Sequence, residues 1–162
     1  MAKINFPVTS AIRFLKSKKL EYIPHIYEYE AKGGTKQTAK ELNIDEYNVI
    51  KTLVFQSEKG ELIVLMHGTL EVSTKELSRF LNTKSISQCN ENVATKATGY
   101  NFGGTSPFGT RKILPIYVEE TILSLDKIYI NGGKQGFILE MSSKNLLESF
   151  PNLTKVNVGI NK

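Results

Sequence analysis

The sequence predicts an α+β fold built on a mixed sheet, and three observations carry that prediction. Short stretches rich in β-branched and aliphatic residues are interspersed irregularly with short helical patterns, unlike the regular winding of a parallel α/β protein. Glycine, proline and asparagine separate these stretches as turn residues. With 162 residues, 40% of them apolar and 23% charged, the chain can bury one substantial core and reads as a single domain, 1–162.

Each element has its own local reason. Thr9 or Ser10 can cap a helix over "AIRFLKSK", where Ala11, Ile12 and Leu15 share one face. "EYIPHIYEYE" follows as a strand, and Pro24 directs it to a sheet edge because proline cannot donate to a ladder. Gly33-Gly34 breaks the chain and Thr35 caps "KQTAKEL". "NVIKTLVFQ" and "ELIVLMHG" are the strongest strands, joined by a hairpin turn at Glu58-Lys59-Gly60. Thr74 caps "KELSRFL", "KSISQC" is a brief strand, and Asn90 caps "ENVATKAT", which stops at Gly99. "ILPIYVEE" and "KIYIN" are strands, and "GGKQG" turns the chain back into "FILEM". Ser142 or Ser143 caps "KNLLESF", Pro151 halts it, and "TKVNV" closes the series as a late strand.

Composition bounds the function. No apolar run approaches the roughly 18 residues that span a bilayer. "MAKINFPVTS" lacks an apolar signal-peptide core, and the single Cys89 excludes an internal disulfide framework, so a cytoplasmic protein is expected. The net charge of +5, from 21 Lys and Arg against 16 Asp and Glu, suits a polyanionic partner such as nucleic acid. Lys16, Lys18 and Lys19 cluster, as do Arg111 and Lys112; solvated surface lysines are the alternative.

The common catalytic kits are missing. His25, His67 and Cys89 are too few and too scattered for a zinc site, and no metal or cofactor is expected. No Gly-x-Ser-x-Gly elbow occurs, and Gly103-Gly104 lacks the Lys-Ser/Thr tail of a phosphate loop. Cys89 could pair with either histidine, but a lone cysteine is usually a small buried hydrophobe.

Three stretches stand out. Lys51 interrupts the apolar "NVIKTLVF" on the face of Val49, Leu53 and Phe55. It is either an edge lysine reaching water or a fixed charge at a pocket mouth. "YNFGGTSPFG" places three glycines beside Phe102 and Phe108, as an elaborate turn or a docking place for a ligand against peptide N–H groups. "NGGKQG" is a hairpin turn by its Asn-Gly step.

In order and spacing, "VIKTLVF", "KATGYNFGGTSPFGTRK" and "IYINGGKQGFILEM" together resemble the YbaK/EbsC-type aminoacyl-tRNA deacylases, of the prolyl-tRNA synthetase editing-domain superfamily. "TSAIRFLKSKKLEYIPHIYEYE" fits the same family's opening helix and strand, so the resemblance spans roughly Thr9 to Leu147. It implies a mixed, mostly antiparallel and partly barrel-like sheet surrounded by short helices. It implies hydrolysis of the ester between a wrong amino acid and tRNA, with Cys-tRNA(Pro) favoured by "GGTSPFG" and "GGKQG". The family's functional lysine falls on Lys51, its Gly-x-x-x-Pro loop on Gly103, Gly104, Thr105, Ser106 and Pro107, and its pocket tyrosine on Tyr27. Thr52 lies beside the lysine, and the paired-glycine hairpin falls on Asn131, Gly132 and Gly133. Lys51, Gly103 and Gly104 are thereby implied as catalytic and the others as substrate-binding. Thr105, Asn131 and Gln135 depart from the family's usual branched aliphatic, serine and basic residue. The implied mechanism uses the substrate's own thiol, with loop N–H groups on the oxyanion. The implied partners are the aminoacylated end of tRNA(Pro) and prolyl-tRNA synthetase. The alternatives are water-driven clearance of Ala-tRNA(Pro) and a non-catalytic tRNA- or synthetase-binding module of the same fold.

Overall fold

The computed structural model describes residues 5–162; Met1–Ile4, part of the segment read for signal-peptide character, lies outside the described residues. The chain opens with helix α1 (Ser10–Ser17), capped by the Thr9 side chain on the Ile12 N–H, and continues into strand β1 (Ile23–Ile26). Helix α2 (Gly34–Leu42) and a 3-10 turn at Glu46–Asn48 lead to the long hairpin of β2 (Val49–Ser57) and β3 (Gly60–His67). Then come β4 (Leu70–Val72), α3 (Thr74–Leu81), β5 (Ile86–Gln88) and α4 (Glu91–Thr98). After the 100–115 loop run β6 (Ile116–Glu119), a 3-10 turn at Glu120–Ser124, β7 (Lys127–Lys134), β8 (Phe137–Ser142) and α5 (Ser143–Ser149). The described chain ends with β9 (Thr154–Val156) and β10 (Gly159–Asn161).

The main sheet has the order β1-β8-β7-β2-β3-β6-β9, with β5 on β2, and this path does not close into a barrel. Pairing is antiparallel except for β2–β7, β3–β6 and β6–β9. Pro24 sits in β1 at the sheet edge, where its missing N–H costs no ladder bond. β4 and β10 form a separate two-stranded ribbon that sequence patterning did not delineate.

The hairpin β2–β3 reads as almost continuously apolar because it is buried on both faces. Ile50, Val54, Ile63 and Leu65 face the larger core with α1, β7 and β8, whereas Phe55, Leu62, Val64 and Met66 face a second cluster with Leu77, Val156 and Val158. Three expected features shift. Ser73, not Thr74, caps α3, by accepting the Glu76 N–H. Thr35 lies within α2 and donates to Glu46 instead of capping. The strand expected over 21–30 is confined to Ile23–Ile26. The hairpin after β7 also turns later than the Asn-Gly step suggests. β7 runs on to Lys134 through a bulge between Asn131 and Lys134, and the reversal falls at Gln135-Gly136.

The 100–109 loop is tied into the core by Tyr100. Its ring is buried and its hydroxyl donates to the Phe108 carbonyl at 2.6 Å. Burial pushes the phenol up to about 12. Phe108 is itself fully buried and stacks on Phe150 with centroids 5.4 Å apart. Tyr100→Phe leaves that carbonyl without its donor and should cost about 1–3 kcal/mol in urea unfolding. A parent-like midpoint would show that the loop does not depend on this bond.

Candidate active site

Along β2 the sheet has a local gap. β7 pairs with β2 only at Val49 and Ile50, and β5 only from Phe55 to Ser57. Between them, Lys51 to Val54 have no ladder partner but β3 among the described residues, although the Val54 carbonyl accepts the Cys89 N–H at 2.9 Å. A cavity of about 300 Å³ opens at this gap. Its walls include Lys51 and Thr52 from β2, Tyr27 and Tyr29 after β1, Thr38 of α2, Cys89, and Phe102, Gly103 and Thr105 of the loop. Asn131 of β7 contributes to the same wall.

Lys51 stands on an internal strand, not at a sheet edge. Its Nζ donates to the Leu70 carbonyl of β4 at 2.5 Å, and the residue lines the cavity. Burial, and then the charge of Lys162, lower its pKa below that of a free lysine, while Glu71 and Glu46 oppose the shift. The neighbouring Thr52 hydroxyl is buried and has no hydrogen-bond partner among the described residues. A buried, unmatched hydroxyl in a cavity that Lys51 also lines is costly for an empty protein and suited to a polar ligand. Tyr27 places its hydroxyl 2.7 Å from the Thr38 hydroxyl, and burial raises its pKa.

The glycine loop and the β7–β8 hairpin brace one another. The Asn131 side chain donates to the Gly103 carbonyl at 3.1 Å, and its oxygen accepts the N–H groups of Gly133 and Lys134 at 2.7 and 3.1 Å. Gln135 donates to the Phe102 carbonyl at 2.9 Å. Gly103 has φ +84, and a β-carbon there would sit 2.5 Å from the Tyr29 hydroxyl. Gly104 is the contact between the two loops: a β-carbon there would meet the backbone of Lys134 and Gln135 at 2.8–3.0 Å.

Of the residues singled out in the sequence, Tyr27, Lys51, Thr52, Gly103, Thr105 and Asn131 come together around the cavity. Gly104, Ser106, Pro107, Gly132 and Gly133 lie outside its lining. Ser106 is fully buried and its hydroxyl accepts the Phe108 N–H. Pro107 is buried, the Gly132 carbonyl accepts the Thr9 hydroxyl, and Gly133 packs against Tyr100 and Thr9. The Gly104 N–H is spent on the Asn101 carbonyl at 2.9 Å, whereas those of Gly103 and Thr105 have no acceptor among the described residues.

Tyr29, Thr38 and Phe102 also reach the cavity, and none of them has a site role in the sequence reading. Nothing in local sequence separates Tyr29 and Thr38 from ordinary strand and helix residues, whereas Phe102 stands out there only as an aromatic beside the glycines. Cys89 lines the cavity too, but burial raises its thiol pKa and neither histidine lines the cavity with it. His67 uses both ring nitrogens, on the Tyr47 carbonyl and the Thr121 hydroxyl, and His25 pairs with Glu140. No activated cysteine is formed by either pairing.

Comparison with known proteins follows the same outline. The family described as "Aminoacyl-tRNA editing domain" matches residues 30–148. EbsC of Enterococcus faecalis, assigned as a Cys-tRNA(Pro)/Cys-tRNA(Cys) deacylase, is 27% identical over 141 residues, 86% of each chain. A proline–tRNA ligase of Brachyspira hyodysenteriae is 30% identical over 96 residues, which are 59% of this chain and 17% of that protein. A crystal structure assigned to a trans-editing enzyme for prolyl-tRNA synthetase superposes with TM-score 0.83 at 21% identity, over 96% of this chain and all of that one. At that identity the superposition establishes the fold.

The bracing makes the loop pair sensitive to small changes. Asn131→Ala removes three hydrogen bonds at once and should lower stability by about 1–3 kcal/mol, with faster amide exchange over 101–109. Gly104→Ala should cost a similar amount, about 1–3 kcal/mol, by forcing the two backbones apart. Parent-like stability in both variants would show that the two loops are not mutually braced.

Proposed function

The chain belongs to the aminoacyl-tRNA editing domain family, and from that premise we propose that it hydrolyses the ester of a misacylated tRNA, with Cys-tRNA(Pro) as its substrate. The observation that carries this reading is a small cavity lined by both Lys51 and the unmatched Thr52, where no protein nucleophile is activated. An ester carbonyl and a ribose hydroxyl are acceptors and donors of the kind these groups lack. The name borne by EbsC supports cysteine as the amino acid. The proline–tRNA ligases that share this region support tRNA(Pro) and an association with the synthetase, in the cytoplasm where translation runs.

The substrate supplies the nucleophile. Its thiol sulfur attacks its own ester carbonyl, the carbon–oxygen bond to the ribose breaks, and the thiol proton passes to the departing ribose oxygen. The resulting four-membered thiolactone then takes up water and opens to free cysteine. Within this scheme Lys51 and the free N–H groups of Gly103 and Thr105 face the negative charge that develops on the carbonyl oxygen. Tyr27 and Thr38 bound the space left for the side chain. Positioning by the cavity supplies the rest, because an intramolecular attack needs orientation more than a strong base.

Single-turnover assays on cysteinyl, alanyl and seryl esters of tRNA(Pro) test the reaction. The cysteinyl ester should react fastest, Cys89→Ala should match the parent, and Lys51→Met should lose on the order of 10²–10³ in rate while staying folded. A covalent intermediate on Cys89, or equal rates for cysteinyl and alanyl esters, would defeat the substrate-thiol mechanism.

A pH series tests the charge of Lys51. Burial and Lys162 lower its pKa from 10.5, so its contribution should disappear as pH rises through that lowered value. After subtraction of spontaneous hydrolysis, the rate should fall at lower pH than an ordinary lysine would predict. A profile that is flat through the alkaline range would remove the lysine charge from the mechanism.

A further inference from the structure

Glu119 ends β6 as a buried acid, 3% exposed, with no cation bonded to it among the described residues. Instead each carboxyl oxygen accepts a backbone N–H: Oε1 from Val158 and Oε2 from Gly159, both at 2.7 Å. Burying an acid costs desolvation, which these two N–H bonds offset. What it secures is the start of β10. A two-stranded ribbon is at best marginally stable alone, and β10–β4 is such a ribbon, outside the main sheet. It is held by Glu119, by the Ser73 N–H on the Val158 carbonyl at 2.8 Å, and by burial of Val158 in the second core cluster.

β10 in turn aligns β4, pairing Gly159 with Val72, Ile160 with Glu71 and Asn161 with Leu70. Leu70 is the residue whose carbonyl accepts the Lys51 ammonium. Lys162, the next residue after β10, lies 4.0 Å from Glu46, which also accepts the hydroxyl of the cavity residue Thr35. Of these parts Val158, β10 and Lys162 lie beyond the family match, which ends at residue 148.

We propose that Glu119 is a positioning residue for Lys51: it pins residues 158–159, β10 thereby holds β4, and β4 presents the Leu70 carbonyl that fixes the lysine ammonium at the cavity. The proposal rests on the deacylation reading for its functional consequence, but its geometric part is independent of the reaction. Gly159 fits the arrangement, since a β-carbon there would collide with Glu119 Oε2. The charged groups that act on Lys51 are Lys162 after β10, Glu71 on β4 and Glu46 on the 3-10 turn, so loosening the ribbon changes the lysine's surroundings as well as its position.

The test compares the full chain with Glu119→Gln, Gly159→Ala and Lys162→Met. It follows the Lys51 ammonium by NMR titration of isotope-labelled lysine, alongside thermal unfolding and deacylation of Cys-tRNA(Pro). Glu119→Gln and Gly159→Ala should each lower kcat on the order of 10- to 100-fold, with KM changed far less. In both, the Lys51 titration should move up toward that of a free lysine, as burial and the nearness of Lys162 are lost. Lys162→Met should move the titration the same way with little loss of thermal stability. If folded Glu119→Gln and Gly159→Ala melt lower but leave the Lys51 titration and kcat unchanged, Glu119 is only a structural tie and the proposal falls. If Glu119→Gln does not fold, Gly159→Ala decides by the same criteria. An inactive parent would sink the deacylation reading alone, and the titration would still decide the positioning role.

Discussion

The interruption of strand pairing along β2 is the constraint on which the site depends. Where β7 leaves β2 after Ile50 and β5 joins only at Phe55, Lys51, Thr52 and Leu53 of a central strand have backbone partners on the β3 side only among the described residues, and Val54 adds a single bond from the Cys89 N–H. Backbone polar groups and side chains that a continuous sheet would bury are therefore brought to a small cavity. A lysine in the middle of a fully paired, two-faced strand would have nowhere to place its charge. At the gap it reaches a carbonyl of β4 on one side and the cavity on the other.

The rest of the molecule can be read as support for that gap. The 100–109 loop covers it from one side, fixed below by Tyr100 and Phe108 in the core and above by Asn131 and Gln135 of the β7–β8 hairpin. The bulge in β7 is what turns Asn131 toward the loop: its oxygen satisfies the N–H groups of Gly133 and Lys134 where the ladder with β8 is broken. α2 and the tyrosines after β1 complete the wall, Tyr29 against Gly103 of the loop, and the Tyr27–Thr38 bond ties α2 to the segment after β1. The cavity is thus bounded by segments far apart in sequence, each held by its own short hydrogen bonds.

Much of this was legible in the chain. The β2–β3 hairpin, the cap by Asn90 and the edge position of Pro24 follow from local residue chemistry, and the structure has them; of the paired candidates Thr9 or Ser10 and Ser142 or Ser143 it uses Thr9 and Ser142. Lys51 was conspicuous because a charge inside an apolar strand violates the local pattern. The exceptions have local causes too. Ser73 displaced Thr74 as a cap because either hydroxyl suits that position, and the bulge hid the true turn behind a strong Asn-Gly signal.

The sequence by itself determined the fold class and most element positions, because periodicity, caps and breaks in pattern act over a few residues; it was the family resemblance that joined the lone lysine to two glycine-rich segments as the place to look. Only the tertiary structure decided which side chains share the cavity. Tyr29, Thr38 and Phe102 enter it, while Ser106 and Pro107 are buried in the loop's own interior. It also decided that Glu119, with no local mark to distinguish it, secures the strand beside Lys51's carbonyl partner. These are consequences of where distant segments meet, and sheet order and register set that meeting through long-range pairing that no local pattern encodes.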